Sequence, residues 1–200
     1  MKTLKIFSYF LILMFIVGCS NKDEDNPAQD NTSGVLGKLG NSWDVKVAGE
    51  YDLNTKITNK EGNVYTLEVS YAKVISKTLK FGYNGNEVVD YVYSQGDTDK
   101  PFTMVKFDAD VGDVYTAEIN GKYHYRQVVE IETYNVPCLG KDLEMIGVYE
   151  EIPPGIPNVY FGLTITSIVW YWHPDYGLVC VEFFTANGNH YEVEFVQIDL

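Results

Sequence analysis

Tyr65-Thr66-Leu67-Glu68-Val69-Ser70-Tyr71 alternates large apolar side chains with polar ones. Successive side chains of a strand point to opposite faces, so Tyr65, Leu67, Val69 and Tyr71 share one side and Thr66, Glu68 and Ser70 the other. That pattern marks a half-buried antiparallel strand. The same period returns in Tyr115, Ala117 and Ile119 against Thr116, Glu118 and Asn120. It returns again in Val179, Val181 and Phe183 against Cys180, Glu182 and Phe184, and in Tyr191, Val193 and Phe195 against Glu192 and Glu194. Between these runs stand Gly62-Asn63, Asn84-Gly85-Asn86, Asn120-Gly121 and Asn187-Gly188. Asn and Gly supply the positive φ that tight hairpins require. The expectation is an all-β fold: an antiparallel curved sheet, a sandwich or a partly open barrel of about ten strands.

Helical signal is weak. Lys141-Asp142-Leu143-Glu144-Met145-Ile146 offers one turn of helix before Gly147. Ile152-Pro153-Pro154-Gly155-Ile156-Pro157 reads as a rigid loop, because proline cannot donate to a ladder. Gly40, Trp43, Val47, Gly49 and Tyr51 align at an offset of 72 with Gly112, Tyr115, Ile119, Gly121 and Tyr123. One β-rich domain over 38–200 is expected, with two related lobes, 38–110 and 111–200, as an option.

Upstream of residue 38 the composition changes. Lys2 and Lys5 precede an apolar run, Ile6 to Val17, too short for the roughly 20 residues that cross a bilayer but within the usual span of a signal peptide core. The run ends Ile16-Val17-Gly18-Cys19. This resembles the lipobox of bacterial lipoproteins. The resemblance implies cleavage after residue 18 and lipid on Cys19, which anchors stably only when more than one acyl chain is attached. Residues 19–37 then read as an acidic, flexible tether, poor in the side chains that form a core. Within it, Lys22-Asp23-Glu24-Asp25 resembles the short acidic export signal of surface lipoproteins in Bacteroidetes. The implied location is the outer membrane, on the cell surface or the periplasmic face.

Without Lys2 and Lys5 the chain keeps thirteen basic residues against 28 acidic ones, a net charge of −15. Phosphate neutralisation by Lys and Arg drives nucleic-acid binding, so a nucleic-acid partner is not expected. Broad contact with anionic lipid is disfavoured for the same reason. With Cys19 assigned to lipid, Cys138 and Cys180 remain, and an oxidising compartment favours a disulfide between them. It would close a loop of about 40 residues, for which chain entropy suggests about 4 kcal/mol. Two separate thiols are the alternative.

No catalytic signature stands out. His124, His173 and His190 are far apart, and Asp108, Asp110 and Asp113 lack the glutamate and glycine of a calcium loop, so no metal and no cofactor are expected. Glu130 with Glu132, and Glu192 with Glu194, sit two apart on strands and share exposed faces. Trp170 and Trp172 share one face of a strand, opposite Val169 and Tyr171. They are candidates to contact a ligand, stacking on a sugar or lining a cavity; packing in a core is the alternative.

Val111-Gly112-Asp113-Val114-Tyr115, Val128 to Pro137 and Trp170-Tyr171-Trp172-His173-Pro174-Asp175-Tyr176-Gly177-Leu178-Val179 loosely resemble segments of exported, β-rich Bacteroidetes proteins of unknown function. Some of those resemble the curved, unclosed barrels of lipoprotein carriers. The resemblance implies a fold and no activity. The functional expectation is a non-enzymatic lipoprotein that binds or scaffolds at the outer membrane. It would hold the membrane through Cys19 and take an apolar, glycan or protein ligand. A structural component or adhesin of a surface complex is the alternative, and a hydrolase would require two carboxylates converging in a cleft.

Overall fold

The computed structural model describes residues 35–47, 51–71, 75–137, 139–152, 159–160 and 163–199. Cys19, Cys138, the expected tether up to residue 34 and the prolines at 153, 154 and 157 lie outside these residues. After a 3-10 turn at Val35–Gly37 come β1 (Ser42–Val47), β2 (Tyr51–Glu61), β3 (Val64–Tyr71), β4 (Ile75–Tyr83), β5 (Glu87–Asp90) and β6 (Phe102–Lys106). Then follow β7 (Val114–Ile119), β8 (Lys122–Val136), β9 (Lys141–Glu151), β10 (Val159–Tyr160), β11 (Leu163–His173), β12 (Gly177–Thr185) and β13 (His190–Asp199). The all-β expectation holds, with more strands than expected. Lys141 to Ile146 is part of β9 rather than a helical turn, because its pairing with β8 outweighs a weak local preference.

Twelve strands form one antiparallel path, β6-β5-β4-β3-β2-β1-β13-β12-β11-β9-β8-β7, and β10 pairs only with β11. Each half is a six-stranded meander, β1 to β6 and then β7, β8, β9, β11, β12 and β13, joined where β1 pairs with β13. The β2–β3, β4–β5, β7–β8 and β12–β13 hairpins turn at the Gly-Asn and Asn-Gly sites. At Asn120-Gly121 both residues have positive φ, 53° and 74°, as a two-residue turn requires. The path is not closed into a barrel. Its end strands β6 and β7 approach without a ladder, touching where the Lys106 N–H donates to the Tyr115 hydroxyl at 3.2 Å.

The alternation of β3 is borne out: Tyr65, Leu67 and Val69 are buried and Glu68 is exposed. The enclosed side of the curled sheet holds the main core, with Trp170, Trp172, Phe183, Ile57 and Tyr65 among its largest members. Leu36, from the 3-10 turn, is fully buried in that core. A second, smaller cluster packs on the opposite face of β8, β9, β11 and β12, around Leu143, Met145, Val169 and Tyr171. Val179 belongs to this second cluster, whereas Val181 and Phe183 belong to the first. The simple period fails there because of a bulge: Tyr171 pairs with Cys180 and Trp172 with Leu178, leaving Val179 unpaired and turned to the other side.

Candidate functional site

Arg126 is the only arginine in the chain. It sits on β8 at a position whose side chain points inward, with Val128 two residues on, and it is fully buried. A buried guanidinium must be paired and hydrogen-bonded to persist. Arg126 reaches strands from both ends of the path. Its Nε and Nη2 donate to Glu150 of β9 at 2.9 and 3.3 Å. Its Nη1 gives hydrogens to the carbonyls of Phe102 and Thr103 on β6, at 3.2 and 3.1 Å. The same Nη1 lies 2.7 Å from Asp90 Oδ2 on β5, and the guanidinium carbon lies 3.9 Å from the centre of the Phe102 ring. One side chain thus caps the exposed edge of β6 and ties it to β8 and β9 across the open seam.

The two carboxylates differ in their surroundings. Glu150 accepts from four donors: Arg126 Nε and Nη2, the Tyr93 hydroxyl at 2.5 Å and Trp170 Nε1 at 3.2 Å. Asp90 Oδ1 accepts only the Val92 N–H, at 2.8 Å. Asp90 Oδ2 is held by its ion pair with Arg126 Nη1, a nitrogen that also serves the two β6 carbonyls. Burial raises the Asp90 carboxyl above the usual carboxylate range; Arg126 opposes that shift and Glu150 adds to it. Burial also raises Tyr93, reinforced by Glu150. For Arg126, burial acts against the charge, but Asp90 and Glu150 outweigh it and keep the guanidinium protonated. Two carboxylates face one guanidinium, so the cluster is one negative charge in surplus when all are ionised.

Asp90 and Tyr93 also line a cleft of about 620 Å³. The cleft lies where β6 and β7 diverge, between the β5–β6 connection and the end of the β7–β8 hairpin, with Phe102, Ala117 and Ile119 in its walls. At its rim stand Asp99, Glu118 and Lys100, and Lys100 pairs with Asp97 at 3.4 Å.

The residues singled out from sequence fall elsewhere. Trp170 and Trp172 have no exposed surface. Their rings fill the core, so neither presents a face on which a ligand could stack. Cys180 is a free, partly buried thiol donating to Glu192 at 3.4 Å, and burial raises its pKa, with Glu192 adding to the effect. The expected partner, Cys138, lies outside the described residues.

Two of the histidines serve local structure. His173 Nδ1 accepts the Asp175 N–H at 3.1 Å, and His190 Nε2 lies 3.2 Å from Glu182. Among the described residues no three metal-ligating side chains converge. Asp108 and Asp113 hold turns, by accepting from Asn86 Nδ2 and the Asp110 N–H. Glu130 is not a free surface carboxylate: it accepts the Tyr171 hydroxyl at 2.9 Å, while Glu132 is exposed.

No family model and no curated protein matches the chain. Two solved structures are similar to it. One is a candidate lipoprotein from Parabacteroides distasonis, 13% identical, covering 81% of this chain and 96% of its own, with a TM-score of 0.50. The other is a candidate exported protein with a YmcC-like fold from Bacteroides fragilis, 12% identical, covering 82% and 97%, with a TM-score of 0.49. The likeness to the first extends over most of both chains and is one of fold.

Proposed function

We propose that this chain is an exported lipoprotein, held at the outer membrane by lipid on Cys19, with a non-enzymatic binding or scaffolding role. The observation that carries the anchoring is the junction of a short apolar core, Gly18 and Cys19 with an acidic spacer. The fold shared with the Parabacteroides protein, itself described as a candidate lipoprotein, supports the same reading. The acidic stretch Lys22 to Asp25 supports the cell-surface side.

A non-enzymatic role is supported by the state of the buried carboxylates. Asp90 and Glu150 do converge beside a cleft, but on a guanidinium rather than on a gap sized for a substrate. Glu150 is saturated with donors and cannot exchange a proton with a bound molecule without breaking the network. The binding role is assigned to the cleft at the seam, which combines an apolar wall with convergent polar groups.

Fractionation of cells expressing the full chain tests the anchor. Wild-type protein is expected in the membrane fraction with acyl groups on Cys19 by mass spectrometry, and Cys19→Ser in the soluble fraction. Unmodified Cys19 in mature protein would overturn the reading. Protease shaving of intact cells assigns the membrane face.

A further inference from the structure

We propose that the open edge of β7 takes up an extended, basic segment of another protein as an added antiparallel strand in the seam. This names the partner chemistry of the binding role proposed above and rests on that reading.

The main chain decides what fits. Asn120 and Gly121 form a two-residue turn closed by the pair Ile119 and Lys122, so the ladder bonds to β8 fall at Ile119, Ala117 and Tyr115. The Val128 N–H, donating to the Asp113 carbonyl at 2.9 Å, continues the same parity. The N–H and C=O groups of Val114, Thr116 and Glu118 therefore point away from β8, and they have no partner among the described residues. The facing strand β6 does not pair with them. Arg126 already occupies its Phe102 and Thr103 carbonyls, and the Tyr115 hydroxyl takes its Lys106 N–H. The seam is thus capped on one margin and open on the other, where Ala117 to Asn120 border the cleft. An edge with no proline, lysine or bulge to blunt it is a template for one more strand. Side chains narrow the occupant. Tyr115, Ala117 and Ile119 face the enclosed side, so apolar residues of the added strand suit that side. The one charge on β7 is Glu118, exposed on the outer side, and an opposite charge at the facing strand position is favourable. A second copy of this acidic chain brings its own Glu118 and a like net charge, whereas a basic segment is attracted.

The probe is a blocked seven-residue peptide alternating valine with lysine, added to the full mature chain carrying Cys19→Ser and labelled for amide NMR. In the chain alone, the Ala117 and Ile119 amides are expected to be protected from hydrogen exchange and those of Thr116 and Glu118 to exchange freely. With the peptide, Thr116 and Glu118 should gain protection of at least about tenfold, saturating with a Kd below about 1 mM. A contact made by side chains alone would not protect these amides. The same peptide with glutamate in place of lysine is expected to bind about three- to tenfold more weakly. Thr116→Pro removes an edge donor while leaving the ladder to β8 intact, and is expected to weaken binding at least about tenfold. Glu118→Lys, at an exposed position, is expected to weaken it about three- to tenfold and keeps the test open if Thr116→Pro does not fold. The proposal is overturned if Thr116 and Glu118 are already protected in the chain alone, or gain no protection from the lysine peptide at about 1 mM. Equal binding of the glutamate peptide, or undiminished binding by either folded variant, overturns it as well. Protection that grows with protein concentration in the absence of peptide gives the edge to a second copy, and also overturns it. None of these outcomes bears on acylation of Cys19, so the anchor and the partner stand or fall separately.

Discussion

Two carboxylates on neighbouring strands, Glu150 and Glu130, tie together the same part of the sheet from opposite sides. Glu150 faces the interior, 1% exposed, and is held by a fixed positive charge with tyrosine and tryptophan donors. Glu130 faces outward and is met by the neutral hydroxyl of Tyr171, which reaches it across Gly147. Inside, an ionised carboxylate survives only with a counter-charge; outside, water shares the task and a phenol suffices. The interior knot therefore depends on charge balance and the exterior one on shape.

Removing the counter-charge tests the interior most severely. Arg126→Met strands two buried carboxylates and frees the edge of β6, with an expected loss of about 3–5 kcal/mol in urea unfolding. A loss below about 1 kcal/mol would mean that the cluster is solvated in solution and that the contrast with Glu130 is false. On the exterior the largest effect is steric. A methyl at Gly147 would lie 2.7 Å from Glu130 Cγ and 3.3 Å from Tyr171 Cε1. Gly147→Ala is expected to displace both side chains and cost about 1–3 kcal/mol, with a perturbed Tyr171 ring environment in near-ultraviolet dichroism.

The interior also carries a pH dependence. The folded-state pKa of Asp90 is raised above its unfolded value, so the folded state holds that proton more tightly. Its contribution to stability is complete below the ordinary carboxylate range and is lost as pH rises through the raised value. The unfolding midpoint of the wild type is expected to fall across that window, by at most about 1.4 kcal/mol per pH unit for one proton. Asp90→Asn flattens the profile there. The smallest effect is Tyr171→Phe, which removes one hydrogen bond to a carboxylate that water can reach. About 0.5–1.5 kcal/mol is expected from thermal melts. The Tyr134 hydroxyl, now pushed up to about 12 by burial and then by Glu130, should titrate differently in that variant.

The contrast also explains what could be read in advance. The class of fold was legible because alternation is a local property: Tyr65, Leu67 and Val69 declare their face without reference to any partner. The count of strands, the bulge at Val179 and the strand over Lys141 to Ile146 were not, since pairing across the sheet decides them. The seam was missed altogether. Its one visible signal was a lone arginine among otherwise exclusively lysine cations, placed in register with Val128 on an inward-facing run. Asp90 and Glu150 gave no comparable sign, being brought to Arg126 from strands 36 positions before and 24 after it. The two tryptophans looked like a binding platform because aromatic rings on one strand face suit a core and a ligand equally well; only the curl of the sheet assigns them to the core.

The first strand, β1, lies in the middle of the path, held by β2 on one side and by the final strand β13 on the other. A tug on the chain ahead of it is met first by Leu36, seated in the core, and then by two ladders loaded in shear. Sheared ladders share a load among all their rungs, whereas a peeled edge yields one rung at a time. The entry strand is thus placed away from both end strands of the path, β6 and β7.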